Sequence, residues 1–215
     1  MHAPDTRQVV EEVTQLVLLK LRGLNDPCRI TIGVSNRHVH LSQADLAELF
    51  GADEMTVLRP VRQPGEFAAQ ETVTVHGPRR SFERVRVMGP CRPRSQVELS
   101  RTDCVALGID APVAQSGHLD DAAAIDIEGP RGRIHLGHAA IVAARHIHLG
   151  PSHAHALNVA DGDRVRVDFS GTRGGTLDQV IIRVKDQGVP EIHLDTDEAN
   201  ALGLRTGDVA RMVRT

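Results

Sequence analysis

Aromatic residues are nearly missing from this chain of 215 residues. Phenylalanine, tyrosine and tryptophan together make up 2% of it, and there is neither tryptophan nor tyrosine. Proteins that hold single-stranded nucleic acid stack its bases on aromatic side chains, so this scarcity argues against that class. The formal net charge of −3 also provides no general attraction to nucleic acid. We therefore expect no nucleic-acid partner.

Long apolar runs and paired cysteines are missing as well. No apolar stretch is long enough to span a membrane, and residues 1–24 carry acidic side chains without the pattern of a signal peptide. Cys28, Cys91 and Cys104 are odd in number and form no Cys-x-x-Cys motif. These features predict a reducing, intracellular compartment and no membrane partner. We expect the cysteines to serve as small apolar side chains rather than as ligands or nucleophiles.

What the chain does contain is a duplicated motif rich in histidine. The segment Arg37–Leu41 (RHVHL) recurs almost unchanged as Arg145–Leu149 (RHIHL). Alternate side chains of a strand lie on the same face, so the two histidines of each copy are neighbours. Two adjacent imidazoles are a ready pair of metal ligands. The duplication therefore predicts two half-sites for metal.

A second block repeats further along each half. Val97–Asp103, followed by a helical segment that ends at Gly108, corresponds to Ile192–Asp197, followed by one that ends at Gly203. Each block has the pattern of a strand, a turn and a short helix. The alignment places Glu98 and His193 at the same position. The repeat thus nominates six ligands: His38, His40 and Glu98 from one half, and His146, His148 and His193 from the other.

The ligand types favour zinc, although cobalt, nickel and iron also accept nitrogen and oxygen donors. Six ligands exceed what one catalytic zinc needs, so two metals bridged by the Glu98 carboxylate fit better. Arg92 precedes Glu98 in a proline-flanked loop, where its guanidinium could meet a phosphate. A solvated surface loop is the alternative interpretation of that segment.

The remaining pattern predicts a mainly β protein. Many short strands separated by turns are typical of small barrels or sandwiches, with short helices between them. Apolar residues at helical spacing also predict an N-terminal helix over residues 5–23. Two interpretations of this helix stay open: it packs on the body or on a partner subunit, or it is a docking peptide.

These motifs resemble one known family. The chain is similar to the phosphate propanoyltransferases of propanediol utilisation, which are zinc phosphotransacylases often packaged in bacterial microcompartments. The likeness extends from about Ile30 to Leu204. It is carried by Ser35–Leu41, Pro64–Glu71, Gly89-Pro90 with Arg92, Gln96–Asp103, Ala143–Leu149 and His193–Asn200.

The resemblance implies an enzyme that interconverts acyl-CoA plus phosphate with acyl phosphate plus CoA. Propanoyl-CoA or another short acyl-CoA is the expected substrate. The resemblance also implies two β-barrel domains and a first strand that joins the C-terminal barrel. The expected units are an N-terminal helix (1–24), one barrel of residues 25–36 plus 144–215, and one barrel of residues 37–143.

Roles for single residues also follow from the resemblance. It implies two Zn²⁺ ions, one held by the first ligand group with its open position toward the CoA sulfur, and one held by the second group, with Glu98 between them. Arg92 matches the arginine that handles phosphate. Contacts with CoA are expected at Ser35, Arg59, Arg86, Met88, His193 and Asn200.

The partners and location are expectations of the same kind. The resemblance implies a homodimer in the bacterial cytoplasm, either free or inside a microcompartment whose shell or core proteins would bind residues 5–23. The chain departs from the family in having Cys91 where a small residue such as alanine is usual, outside the ligand set.

Two other classes of protein remain as alternatives. A cupin-like metalloenzyme or a metallohydrolase also uses His-x-His on strands, but the doubled motif argues against both. A zinc-stabilised module that binds a scaffold through residues 5–23 would have no activity. Release of CoA thiol from acyl-CoA in the presence of phosphate distinguishes all three.

Overall fold

The computed structural model describes residues 26–213, together with Thr14, and it confirms the mainly β fold. The helices in this part of the chain are α1 (Gln43–Phe50), α2 (Arg101–Leu107), α3 (Pro151–Leu157) and α4 (Thr196–Leu202). The strands are β1 (Arg29–Ser35), β2 (His38–His40), β3 (Val57–Pro60), β4 (Phe67–His76), β5 (Ser81–Gly89), β6 (Gln96–Leu99), β7 (Val113–Ala114), β8 (Ala123–Gly129), β9 (Gly132–Ala143), β10 (His146–Leu149), β11 (Arg164–Phe169), β12 (Gly175–Val184), β13 (Glu191–Asp195) and β14 (Val209–Val213). Apart from Thr14, the helix predicted over residues 5–23 lies outside the described residues.

Two closed barrels of six strands make up the body. In the C-terminal barrel the strands follow the order β1-β13-β10-β12-β11-β14, and β14 pairs with β1 to close the ring. In the N-terminal barrel the order is β4-β5-β2-β6-β9-β8, and β8 pairs with β4. The short strands β3 and β7 extend this second sheet at β4 and β9.

The internal repeat is visible in the strand pairing. β2 and β10 carry the two His-x-His motifs, and each lies beside the strand of the second repeated block, β6 or β13. The first strand of each half crosses to the other barrel. β1 precedes β2 but pairs with β13 and β14, whereas β9 precedes β10 but pairs with β6 and β8. This reciprocal exchange ties the barrels together. The domain boundaries expected from the sequence stay a prediction.

Alternating side chains fill the barrels. In β11 the residues Val165, Val167 and Phe169 are buried and the residues between them are exposed, as expected for a strand with one face on a core. Each barrel has its own apolar core. β10 differs, because all four of its residues are buried, the histidines included. Burial of two imidazoles requires a compensating interaction.

Caps fix the helices that follow the ligand strands. Ser100 caps α2 by accepting from the backbone N–H of Asp103, and Asp195 caps α4 by accepting from that of Glu198. Gly108 and Gly203 end these helices with φ of 79° and 67°, which favours glycine. Since each cap contributes about 1 kcal/mol, the strand-turn-helix blocks are locally stabilised.

The cysteines and the helices of the described residues bear on two expectations from the composition. Cys28 and Cys104 are buried, and Cys91 is half-buried; all three are free thiols. Within residues 26–213, no helix combines the length and the apolar character that crossing a membrane demands.

Candidate metal centre between the barrels

The six predicted ligands form two groups of three. His38, His40 and Glu98 make up one group, here called the first group. The second group consists of His146, His148 and His193. In each group, donor atoms from all three residues lie within 4.8 Å of one another. The pairing explains this, because Glu98 lies opposite His38 and His193 lies opposite His146 in the two ladders.

Backbone carbonyls fix the tautomer of one histidine in each group. Nδ1 of His38 lies 2.8 Å from the carbonyl oxygen of Asn36, and Nδ1 of His146 lies 2.8 Å from that of Ala144. A carbonyl can only accept, so Nδ1 must carry the proton and donate it. Nε2 then keeps its lone pair, which is the form of imidazole that binds a metal.

In the second group His146 and His148 are buried, whereas His193 is only partly buried. Nε2 of His146 and Nε2 of His148 are only 3.1 Å apart, so a proton or a cation must lie between them. Burial, followed by repulsion from the neighbouring rings, lowers the pKa of His146 to about 3 and that of His148 to about 2. Both rings are therefore neutral near pH 7. Nδ1 of His148 is buried and has no hydrogen-bond partner in the described chain.

A tetrahedral zinc fits this donor set. Nitrogens that share one zinc lie about 3.3 Å apart, since each Zn–N bond is about 2.0–2.1 Å. The observed 3.1 Å separation between the two Nε2 atoms is close to that value. Neutral rings with converging lone pairs are what zinc requires of its ligands.

Glu98 anchors the first group. Its Oε2 lies 3.5 Å from Nε2 of His38, and its Oε1 lies 3.7 Å from Nε2 of His40. Oε1 also accepts hydrogen bonds from Gln96 (2.5 Å) and Ser116 (3.0 Å). Burial alone would raise the pKa of this carboxyl. The two histidines, and then Arg92, outweigh burial and lower the pKa to about 2. Glu98 is thus an ionised donor in a buried position.

Both groups open into one cavity of about 710 Å³ between the barrels. Cationic side chains dominate its wall: Arg37, Arg59, Arg62, Arg86, Arg92, Arg183 and Lys185. The acidic residues of the wall are Glu66, Glu98 and Glu191. Seven cations against three acids make the cavity suited to anionic ligands.

Arg92 lies beside the first group, as the sequence predicts. Its Nη1 donates to Oγ of Ser116 at 2.5 Å and is 3.9 Å from Oε1 of Glu98. Its backbone N–H donates to the carbonyl of Leu41, which holds the loop against the end of β2. Arg92 also lines the cavity, and about 30% of its side chain is exposed. At Arg92 the loop is therefore attached to the barrel, while Arg94 in the same loop is exposed.

The arginine of each repeated motif has a structural partner. Arg37 donates to Asp103 through Nε (3.0 Å) and Nη2 (2.5 Å), and Arg145 pairs with Glu198 at 3.0 Å. Asp103 and Glu198 occupy the same position in α2 and α4. These pairs tie each His-x-His strand to the helix that follows the third ligand.

The residues expected to contact CoA are distributed unevenly. Ser35, Arg59, Arg86, Met88 and His193 line the cavity. Nη1 of Arg86 donates to the carbonyls of Ala69 and Gln70, which fixes this arginine in the wall. Asn200 is exposed on α4 and is not part of the cavity wall.

Several residues at the site escape sequence reasoning. Gln63, Ser116 and Arg183 line the cavity or contact the ligands, but none of them lies in a repeated motif. Glu191 is different, because it precedes His193 by two residues, as Gln96 precedes Glu98. The repeat alignment therefore contained a signal for Glu191.

The fold and the site define a two-barrel protein with paired metal-ligand groups at the junction of the barrels, beside a cavity lined by arginine. Comparison with known proteins is consistent with this class. The family model described as phosphate propanoyltransferase matches residues 31–205.

Curated relatives carry the same name. A phosphate propanoyltransferase of Thermotoga maritima is 49% identical over 207 residues, covering 94% of this chain and 99% of the relative. One from Rhodopseudomonas palustris is 48% identical over 190 residues, covering 88% and 84%. One from Clostridioides difficile is 43% identical over 208 residues, covering 96% of each. The chain belongs to the phosphate propanoyltransferase family, and the prediction of an enzyme of this family is confirmed.

Proposed function

We propose that this enzyme interconverts propanoyl-CoA, or another short acyl-CoA, plus phosphate with the acyl phosphate plus CoA, and that it does so with two zinc ions. One observation carries the proposal: two three-donor groups and Arg92 share a single cavity lined by cations. Phosphate and CoA are both polyanions, so that wall suits both substrates.

The first and second groups would each hold one zinc, and Glu98 would bridge the two ions. When bound, the zinc ions would polarise the thioester carbonyl and stabilise the departing thiolate. Two features of the chain favour binding. The tautomers of His38 and His146 leave Nε2 free, and Glu98 is ionised.

Arg92 would hold the phosphate. The contacts with Ser116 and Glu98 fix one edge of its guanidinium, so the remaining N–H groups are oriented before the substrate arrives. A planar guanidinium offers two parallel donors to a phosphate group. An oxygen of the phosphate would form a bond to the thioester carbon as the carbon–sulfur bond breaks. Orientation would supply much of the rate.

Neither Cys91 nor Cys104 would act as a nucleophile. Burial raises the pKa of Cys91 and that of Cys104, so both thiols stay protonated near neutral pH. Cys104 lies in the apolar core of the N-terminal barrel. Direct attack by phosphate needs neither residue.

Further proposals concern the assembly. We propose a homodimer, docking to microcompartment proteins through residues 5–23, and division into the domains 25–36 plus 144–215 and 37–143. The first two rest on the family resemblance. The third is supported by the strand pairing, in which β1 joins β10–β14 and β2–β9 form the other sheet.

Phosphate-dependent release of CoA thiol tests the proposed reaction. Purified zinc-loaded protein is mixed with propanoyl-CoA, with and without phosphate, and the free thiol is measured continuously. We expect release only when phosphate is present, and loss of release after chelation. Release without phosphate would instead indicate a hydrolase. No release from any short acyl-CoA would favour a binding module.

A further inference from the structure

Each third ligand has a polar neighbour two residues earlier on the same strand face. Gln96 precedes Glu98 on β6, and Glu191 precedes His193 on β13. The pairing makes the two positions equivalent, because Gln96 lies opposite His40 and Glu191 lies opposite His148. Both residues are nearly inaccessible, with 1% and 5% of their surface exposed.

The hydrogen-bonding polarity of each neighbour is matched to its ligand. Glu98 is an acceptor, and Gln96 donates to it through Nε2 at 2.5 Å. His193 is a donor through Nε2–H, and Oε2 of Glu191 accepts from it at 3.0 Å. In one half an acceptor ligand, the Glu98 carboxylate, has an amide donor as its neighbour. In the other half a donor ligand, the His193 imidazole, has a carboxylate acceptor as its neighbour.

Both neighbours are themselves held in place. Oε1 of Gln96 accepts from the backbone N–H of Gly117 at 2.7 Å. Oε2 of Glu191 accepts from Nε2 of Gln63 at 3.0 Å. Gln63 belongs to the segment between β3 and β4 of the other barrel, is 3% exposed, and exchanges hydrogen bonds with the backbone of Val189. Glu191 is thus fixed across the junction of the barrels.

We propose that Gln96 and Glu191 are matched positioning residues, and that Glu191, held by Gln63, orients His193 so that Nδ1 presents its lone pair to the second group. This inference rests on the proposed zinc site. A carboxylate that accepts the outer proton of a metal-binding imidazole fixes both its tautomer and its ring orientation. The contact between Gln63 and Glu191 across the junction of the barrels would then contribute to the zinc affinity of the second group.

Zinc affinity measured by competition with a fluorescent chelator tests the proposal. The purified full-length protein is stripped of metal and titrated with zinc alone. The wild-type chain should show two binding steps, and the step lost in His148→Ala identifies the second group. Glu191→Leu should weaken that step by about 10–100-fold, as is typical for loss of a carboxylate that supports a metal-binding histidine.

Two further variants separate positioning from folding. Glu191→Gln keeps an acceptor oxygen of the same shape, so it should retain more zinc affinity than Glu191→Leu. Gln63→Ala should weaken the second step as well, because it frees Glu191 without touching a ligand. Glu66→Gln is the matched control, since Glu66 is an acidic residue of the same cavity wall that pairs with Lys185. The zinc affinity of the second step should stay within about 3-fold of wild type in this control, which is well below the loss of about 10–100-fold expected for Glu191→Leu.

The outcomes are distinct. The inference would be overturned if the zinc affinity of the second step in Glu191→Leu stayed within about 3-fold of wild type, since loss of a positioning residue typically lowers metal affinity by about 10–100-fold. Equal losses in Glu191→Leu and Glu66→Gln would also overturn it, because general cavity charge would then explain the effect. A wild-type chain that binds no zinc would refute the proposed metal site itself, and this inference with it.

Discussion

Arg92→Ala should impair the use of phosphate far more than the binding of acyl-CoA. Arg92 is the arginine that the structure orients toward both the first group and the cavity. About 30% of its side chain is exposed, so it can meet a ligand from the cavity. Alanine removes the guanidinium, and Ser116 keeps its contact with Glu98.

The size of the effect follows from what is lost. One donor aimed at a developing anion contributes about 2.7–4 kcal/mol to the transition state, which is about 10²–10³ in rate. A second loss arises at Glu98, because Arg92→Ala also removes the positive charge that lies 3.9 Å from this buried carboxylate. Exposure screens that attraction, so this second loss is small and the total stays at about 2.7–4 kcal/mol. Arg92→Lys should recover only part of it, because an ammonium is a point charge.

Steady-state kinetics with phosphate varied at saturating acyl-CoA measures this loss. We expect kcat/KM for phosphate to fall by about 10²–10³ in Arg92→Ala. The KM for acyl-CoA and the zinc content should stay close to those of wild type. Arg94→Ala is the matched control, because Arg94 lies in the same loop but is half-exposed and reaches Asp120. A near-normal kcat/KM for phosphate in Arg92→Ala would show that another cation of the wall holds the anion.

Three further predictions concern other parts of the chain. Glu98→Ala should lose both zinc ions, whereas His38→Ala should lose one, because in the proposed site the carboxylate would serve both ions; elemental analysis showing one fully retained zinc in Glu98→Ala would contradict the proposed bridge. The double variant Cys91→Ala/Cys104→Ala should keep most of its turnover, and a collapse of turnover with fold and zinc intact would indicate an acyl-cysteine route. Deletion of residues 1–24 should leave kcat largely unchanged, since every proposed ligand lies at or beyond His38, and a reporter fused to these residues that stays diffuse beside assembled microcompartments would reject docking.

The local elements of the site were predictable from the sequence. Ser100 and Asp195 mark helix starts, and Gly108 and Gly203 mark helix ends, so the strand-turn-helix blocks could be recognised without the structure. The repeat also placed Glu98 and His193 at one position. Strand pairing puts both residues opposite the first histidine of their motif.

Long-range placement was not predictable in the same way. Gln63 reaches Glu191 across 128 residues of sequence, and nothing local to either residue indicates that contact. Ser116 and Arg183 contribute single side chains from elements without a repeated motif. Their position depends on how the barrels close, which β1 and β9 determine by crossing between the halves.

Zinc reconstitution of the stripped enzyme tests the central claim most directly. Metal-free protein is titrated with zinc while phosphate-dependent thiol release from propanoyl-CoA is followed. Six ligands in two groups predict that activity rises to a plateau at two zinc ions per chain. Full activity at one zinc per chain, or in the absence of metal, would contradict a dinuclear phosphotransacylase.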